Sequence, residues 1–318
     1  MHPAFSVIVF TTLSGAGYGL MVWLGLLQLS GRFPADATPS WLWAALLLKA
    51  LVLVSIGLLS STLHLGKPGR AWRAFSQWRT SWLSREGVMA VLTYLPAIAL
   101  LAPIAAEIWT PYRIVFTATT ISVLVIALVV CALLTVVCTA MIYASLKPIP
   151  AWRHPLVVPG YLAFALLSGA VLLAAAQAVV DRVSPEACIA IAVLALLTGA
   201  LKLSYWRGID RQALPATRGD AIGLPGREPS VFERPHTEGN YLTREMGFVL
   251  ARKHARKLRV IALVLFAVLP LLLMALALLL PATGIGAMPA TALAVLAGAF
   301  VERWLFFAQA RHLVMLYY

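Results

Sequence analysis

The chain has 318 residues, 61% of them hydrophobic and only 12% charged, with a formal net charge of +13 and a mean hydropathy of +0.89. Soluble domains run at roughly 45–50% apolar and about 25% charged residues. A water-soluble globule, a disordered tail and a disulfide-stapled secreted scaffold are therefore excluded. The fold class that remains is all-α, a polytopic membrane protein. The positive charge lies between apolar runs instead of along one soluble face, which argues against a nucleic-acid binder and for loops that set membrane orientation.

A helix needs about 20 apolar residues to cross the hydrocarbon core. Eight stretches qualify, at roughly 5–29, 41–63, 87–106, 114–145, 158–180, 187–206, 258–280 and 287–313. The opening Met1-His2-Pro3-Ala4 lacks the basic region of a signal peptide, so the first run is expected to persist as a helix. The second closes on His64-Leu65-Gly66-Lys67-Pro68, and Ser81-Trp82-Leu83-Ser84-Arg85-Glu86 opens the third. The short connection makes these two helix ends neighbours. Ser84 is expected to cap the third helix, with Arg85 and Glu86 in its first turn. The fourth stretch is the longest, so tilting or projection from the bilayer is expected. Trp23, Trp41, Trp43, Trp109 and Trp206 fall near predicted membrane interfaces, where aromatic belts form.

After the sixth span, residues 207–257 hold Pro215, Pro225, Pro229 and Pro235 among glycines and mixed charge. This reads as an irregular loop, either a solvated linker or a partner-docking segment, ending in a basic helix from Thr243 to Arg259. The rest of chain 1–318 reads as a single integral membrane domain. The long loops after spans two and six suggest two four-helix halves, without a convincing sequence repeat.

Eight spans put both termini on one side, shared with the loops after spans two, four and six. Those loops carry Lys67, Arg70, Arg73, Arg79, Arg85, Lys147 and Arg153, and the 207–257 segment adds many more. The opposite loops offer Arg32, Arg113 and Arg182. The positive-inside rule then predicts cytoplasmic termini and cytoplasmic basic loops, in the inner membrane.

Charges within spans cost roughly 2.5–3.5 kcal/mol on insertion scales and so raise a functional question. Glu302 and Arg303 lie in the last span, about 100° apart around a helix, so each is expected to find its partner on another helix. Either a structural ion pair or a functional polar network accounts for them. Arg311 and His312 fall near the end of that span, where snorkelling suffices. His64 and Glu86 are placed to share one pocket at the membrane surface. A histidine exchanges protons near neutrality and a carboxylate can relay them. The plainer reading is an interfacial histidine and a glutamate placed for the helix dipole.

A multi-haem anchor needs pairs of histidines inside facing spans. His2, His154, His236 and His254 lie in termini or loops, leaving His64 and His312 near span ends, so haem is disfavoured. Cys131, Cys138 and Cys188 form no Cys-x-x-Cys, so neither an iron–sulfur cluster nor a metal site is expected in this chain. No phosphate loop, dinucleotide fingerprint or hydrolytic triad is present. A secondary transporter, with Lys202, Glu302 and Arg303 lining a path, is the competing class. The gathering of polar residues at one membrane face, without a midplane inverted repeat, disfavours it.

Met1-His2-Pro3-Ala4-Phe5-Ser6-Val7-Ile8, Ser14-Gly15-Ala16-Gly17-Tyr18-Gly19, His64 to Pro68 and Ser81 to Glu86 resemble the membrane-anchor subunits of dimethyl sulfoxide reductase-type molybdopterin oxidoreductases. So do Asn240-Tyr241-Leu242, Glu245-Met246-Gly247-Phe248 and Glu302-Arg303-Trp304-Leu305-Phe306-Phe307, so the resemblance spans nearly the whole chain. It implies an eight-helix anchor without haem or iron–sulfur cluster, exchanging electrons with membrane quinone or quinol. It further implies an iron–sulfur electron-transfer subunit and a catalytic subunit carrying molybdenum bis(guanine dinucleotide). In such anchors a histidine ending span two and a glutamate opening span three take part in quinol chemistry, and His64 and Glu86 match them. Arg85, Tyr241 and Glu245 are further expected contributors to the quinone site. The opening is most similar to the cytoplasmic sulfite-oxidising branch, which passes electrons from sulfite to quinone; the sulfoxide-reducing branch oxidises quinol.

Overall fold

The computed structural model describes residues 4–31, 40–63, 65–180, 184–230, 232–233, 238, 246 and 250–317, except for the side chains of 40 and 250–252. Of the candidate site residues named above, His64, Tyr241 and Glu245 lie outside this set. Among the described residues there are helices and turns but no strand.

Eight helical spans are present among the described residues, as the apolar runs predict. They are α1 (Phe5–Leu29), α2 (Ser40–Thr62), α3 (Trp82–Trp109), α4 (Ala118–Ala144), α5 (Val157–Val179) and α6 (Pro185–Arg211), then a composite seventh and a final eighth. A short helix, α7 (Arg218–Ala221), sits in the long connection. The seventh span joins α8 (Leu250–Leu263) to α9 (Leu269–Leu279) through a π turn at Val264–Val268; α10 (Gly284–Ala308) is the eighth. The π turn stops just before Pro270, which has no N–H to donate backwards and whose ring crowds the preceding turn.

Several boundaries differ from the hydropathy reading. Helix α3 starts at Trp82, because Ser81 and not Ser84 is the cap: its hydroxyl accepts the Ser84 amide at 3.5 Å, while the Ser84 side chain is buried. At 28 residues α3 is longer than α4, whose 27 residues begin only after the Thr117 cap. Helix α6 runs on to Arg211, and its 27 residues reach about 40 Å, beyond the ~30 Å hydrocarbon core. The last helix ends at Ala308, so Arg311 and His312 follow it, and His312 Nδ1 accepts the Val314 amide at 3.0 Å.

Helix α1 is the axis of the bundle, packed against α2, α4 and α5. The small residues of Ser14-Gly15-Ala16-Gly17-Tyr18-Gly19 explain how. A Cβ on Gly19 would overlap the Ala165 carbonyl of α5, and one on Gly17 would stand 2.7 Å from the Ala50 carbonyl of α2. Small residues let membrane helices approach backbone to backbone, where dispersion replaces the missing hydrophobic drive. Helix α3 packs on α4, while α5, α6, α8–α9 and α10 pack among themselves. Two of the tryptophans placed at interfaces have other work. Trp23 donates to the Leu166 carbonyl at 2.8 Å, tying α1 to α5, and Trp206 is buried with Lys202 and Arg259 against its ring.

Candidate functional site: a cavity where the second and third spans meet

The chain leaves α2, makes a 3-10 turn from Pro68 to Gln77 and enters α3. Arg85 folds that connection onto the helix start. Its Nε donates to the Trp78 carbonyl at 3.0 Å and its Nη2 to the Arg79 carbonyl at 2.7 Å, with the guanidinium 4.3 Å from the Trp82 ring centroid. These bonds hold Phe75 across α3, over Gly87, where a Cβ would meet the ring at 3.3 Å.

Beneath this turn is a cavity of about 800 Å³. Val7 and Phe10 of α1, Leu58 of α2, Phe75, Leu83 of α3, Tyr143 of α4, Trp152 and Phe307 form its mostly apolar walls. Lys67 and Arg70 also line it, and so do Leu65 and Glu86. Glu86 is 5% exposed, and its Oε1 makes no hydrogen bond to the protein. A carboxyl oxygen buried without a partner is costly, and it marks the wall as one that receives a polar group. Of the residues named from sequence, Glu86 faces the cavity, Arg85 grips the roof, and Leu65, next to His64, is in the wall.

Sequence reasoning did not identify Tyr143, Trp152 and Phe307. The loop after α4 is pinned to the end of α10 by the Trp152 indole, which donates to the Phe306 carbonyl at 2.9 Å. Trp152 stacks on Phe306 at 5.6 Å, and Tyr143 meets Phe307 edge-on at 5.1 Å. These contacts join positions more than 150 residues apart, and no local spacing announces them.

A second polar cluster lies in the other half of the bundle. Glu302 pairs with Lys202 of α6, the interhelical partner expected, and Glu302 Oε2 is also 3.5 Å from Arg303 Nη1. The two helical neighbours therefore come closer than their 100° separation suggested, because both side chains bend toward α5 and α6. The cations rest on aromatic faces: Arg303 is 3.6 Å from the Tyr161 centroid and Lys202 Nζ 4.0 Å from that of Tyr205. Above it, Arg259 makes a bidentate pair with Asp210 at 2.6 and 2.9 Å and donates to Gln309 Oε1 at 3.0 Å.

Outside the spans, His154 Nδ1 accepts the Leu156 amide at 3.2 Å, and burial with the nearby Lys202 charge lowers its pKa. Among the described residues no three His, Cys, Asp or Glu side chains converge to hold a metal ion, and the three cysteines are unbridged.

An eight-span bundle with a carboxyl-bearing apolar cavity at one end, and a polar cluster behind it, is an integral membrane protein with an internal site. The chain belongs to the family described as DMSO reductase anchor subunit (DmsC), matched over residues 1–309. It is also 38% identical to a sulfite dehydrogenase subunit of Allochromatium vinosum, over 330 aligned residues covering 100% of this chain and 99% of the relative.

Proposed function

We propose that this chain is the quinone-reactive anchor of a molybdenum and iron–sulfur complex that passes electrons from sulfite to membrane quinone. The observation that carries the reading is the buried Glu86 carboxyl, whose Oε1 has no hydrogen-bond partner among the described residues, in an apolar cavity of about 800 Å³, within the roughly 300–1,000 Å³ of small-molecule sites. Apolar walls suit a lipid-soluble ring and tail, and the buried carboxyl suits a carbonyl or hydroxyl that must gain or lose a proton.

Quinone supplies the two-electron, two-proton chemistry that balances oxidation of sulfite to sulfate in the catalytic partner. This chain's residues then have separate tasks. His64 would hydrogen-bond the ring oxygen and exchange its proton, and Glu86 would relay protons to and from it. Arg85 holds the roof in place and adds positive charge near the site. Tyr241 and Glu245 would contribute from the segment before the seventh span. Glu302 and Arg303 would belong to an internal polar network.

The positive-inside rule puts the basic loops and both termini in the cytoplasm, so the iron–sulfur and molybdopterin subunits would dock there, on the 207–257 segment. The family match keeps open the reverse direction, an anchor that oxidises quinol for a sulfoxide reductase. Assay of the purified complex with sulfite and with sulfoxides separates the two.

The test of the site is Glu86→Gln, which preserves shape and removes the proton. Loss of a positioned acid or base costs roughly 10²–10⁴-fold. Quinone-linked turnover, divided by turnover with a soluble dye in the same preparation, should fall within that range. An unchanged ratio would refute a role for Glu86.

A further inference from the structure

Behind the large cavity, Arg303 borders a second one of about 20 Å³ between α1, α4, α5 and α10, lined also by Thr12, Tyr18, Thr139 and Tyr161. Thr12 Oγ1 and the hydroxyls of Tyr18 and Tyr161 are all buried without a protein hydrogen bond. A buried hydroxyl without a partner is costly, so three on one small cavity call for a shared partner. A cavity of more than about 10–15 Å³ holds one water, provided two to four polar groups meet it. Here both conditions are satisfied: the size admits one water, and three hydroxyls with a guanidinium line the space.

This space lies between the two polar sites. Tyr161 and Arg303 also line a smaller one of about 10 Å³ bordered by Lys202 and Tyr205, which leads to the Lys202–Glu302 pair. On the other side, the rings of Tyr161 and Tyr143 stack with centroids 6.1 Å apart, and Tyr143 lines the large cavity together with Glu86. At the basic end, the Trp206 ring lies 5.5 Å from Lys202 Nζ and 5.6 Å from the Arg259 guanidinium, and Arg259 borders a cavity of about 250 Å³ beside Asp210 and Arg311.

We propose that Thr12, Tyr161 and Arg303 hold a buried water, and that this water and Tyr143 connect the Lys202–Glu302–Arg303 cluster to Glu86 as a proton route into the quinone cavity. The route rests on the quinone reading above. Each transfer is neutral overall: a hydroxyl or water accepts one proton at one end and releases another at the other, and the Lys202–Glu302 pair is refilled from the aqueous face. It gives the cluster a task beyond its own pairing and supplies a partner for hydroxyls that the protein leaves unbonded.

The experiment uses the intact complex in proteoliposomes with Tyr161→Phe and Thr12→Val, which remove one hydroxyl each and keep packing. The readouts are the ratio of quinone-linked to dye-linked turnover and its solvent deuterium isotope effect. Tyr161→Phe should lower the ratio about tenfold and raise the isotope effect, less than the 10²–10⁴-fold of a directly acting acid or base. A ratio and isotope effect equal to those of the unaltered complex in both hydroxyl variants would overturn the route, as would a high-resolution map without density between Thr12, Tyr161 and Arg303. Photolabelling by an azidoquinone separates the two readings. Label at the cavity walls with unaffected variants refutes the route alone, whereas label elsewhere refutes the quinone site and the route with it.

Discussion

Glu302 is the most exacting place to test how this bundle tolerates charge. Lys202, Glu302 and Arg303 have side chains only 6%, 1% and 5% exposed, and together they carry two positive charges and one negative. Removing one member of a buried ion pair costs roughly 3–5 kcal/mol, mostly through the charge left behind. Glu302→Gln strands two cations with no anion and belongs at the upper end, about 5 kcal/mol. Lys202→Met leaves Glu302 with Arg303 at 3.5 Å and belongs near about 3 kcal/mol. The double substitution leaves Arg303 alone on the Tyr161 face, where a desolvated cation–π contact returns about 2 kcal/mol. It should therefore unfold less readily than Glu302→Gln alone. Denaturant unfolding of the detergent-solubilised chain, followed by intrinsic tryptophan fluorescence, gives the three values. If the double substitution costs the sum of the two single ones, the charges are independent and the reasoning fails.

Gly19→Val should prevent α1 from reaching α5 and abolish accumulation of the folded chain, whereas Gly15→Ala, where a Cβ meets nothing within 4 Å, should leave accumulation unchanged on immunoblots of membranes. His154 provides a pH signature. Its pKa is lowered from the usual 6.5 in the folded chain, so the unfolded chain takes up the proton first, and stability should fall as the pH drops below about 6.5 toward the folded value. His154→Gln should flatten that slope in unfolding measured across the acidic range. Trp152→Phe keeps the ring stack but removes the bond to the Phe306 carbonyl, about 1 kcal/mol, and should speed hydrogen exchange in the loop after α4. Reporters fused to both termini should give cytoplasmic signals; a signal from the opposite side would refute the orientation.

Where reading from sequence succeeded, one physical quantity dominated. Apolar runs of twenty or more residues have few ways to exist except as spans, and all eight are helical here. Glu86 was singled out because a carboxylate beside a second helix end invites a shared pocket; it lines a cavity wall, while His64 lies outside the described residues. The interhelical partner expected for Glu302 is Lys202. What misled was local pattern. Ser81 and Ser84 are equally plausible caps on paper, and only the direction of the incoming chain selects Ser81. Arg85, expected to contribute to the quinone site, gives donors to the carbonyls of Trp78 and Arg79, contacts that no spacing in the sequence announces.

The amino-acid order by itself determined that this chain lives in a bilayer, how many times it crosses and which loops carry the charge, because transfer of each residue out of water is a property of that residue and its near neighbours. The tertiary structure decided which side chains line the cavity, which hydroxyls are left unpaired and how three buried charges share one site. Tyr143, Trp152 and Phe307, or Thr12, Tyr161 and Arg303, meet only when helices far apart in the chain pack at distances fixed by glycines such as Gly19, and proximity of that kind depends on the whole bundle at once.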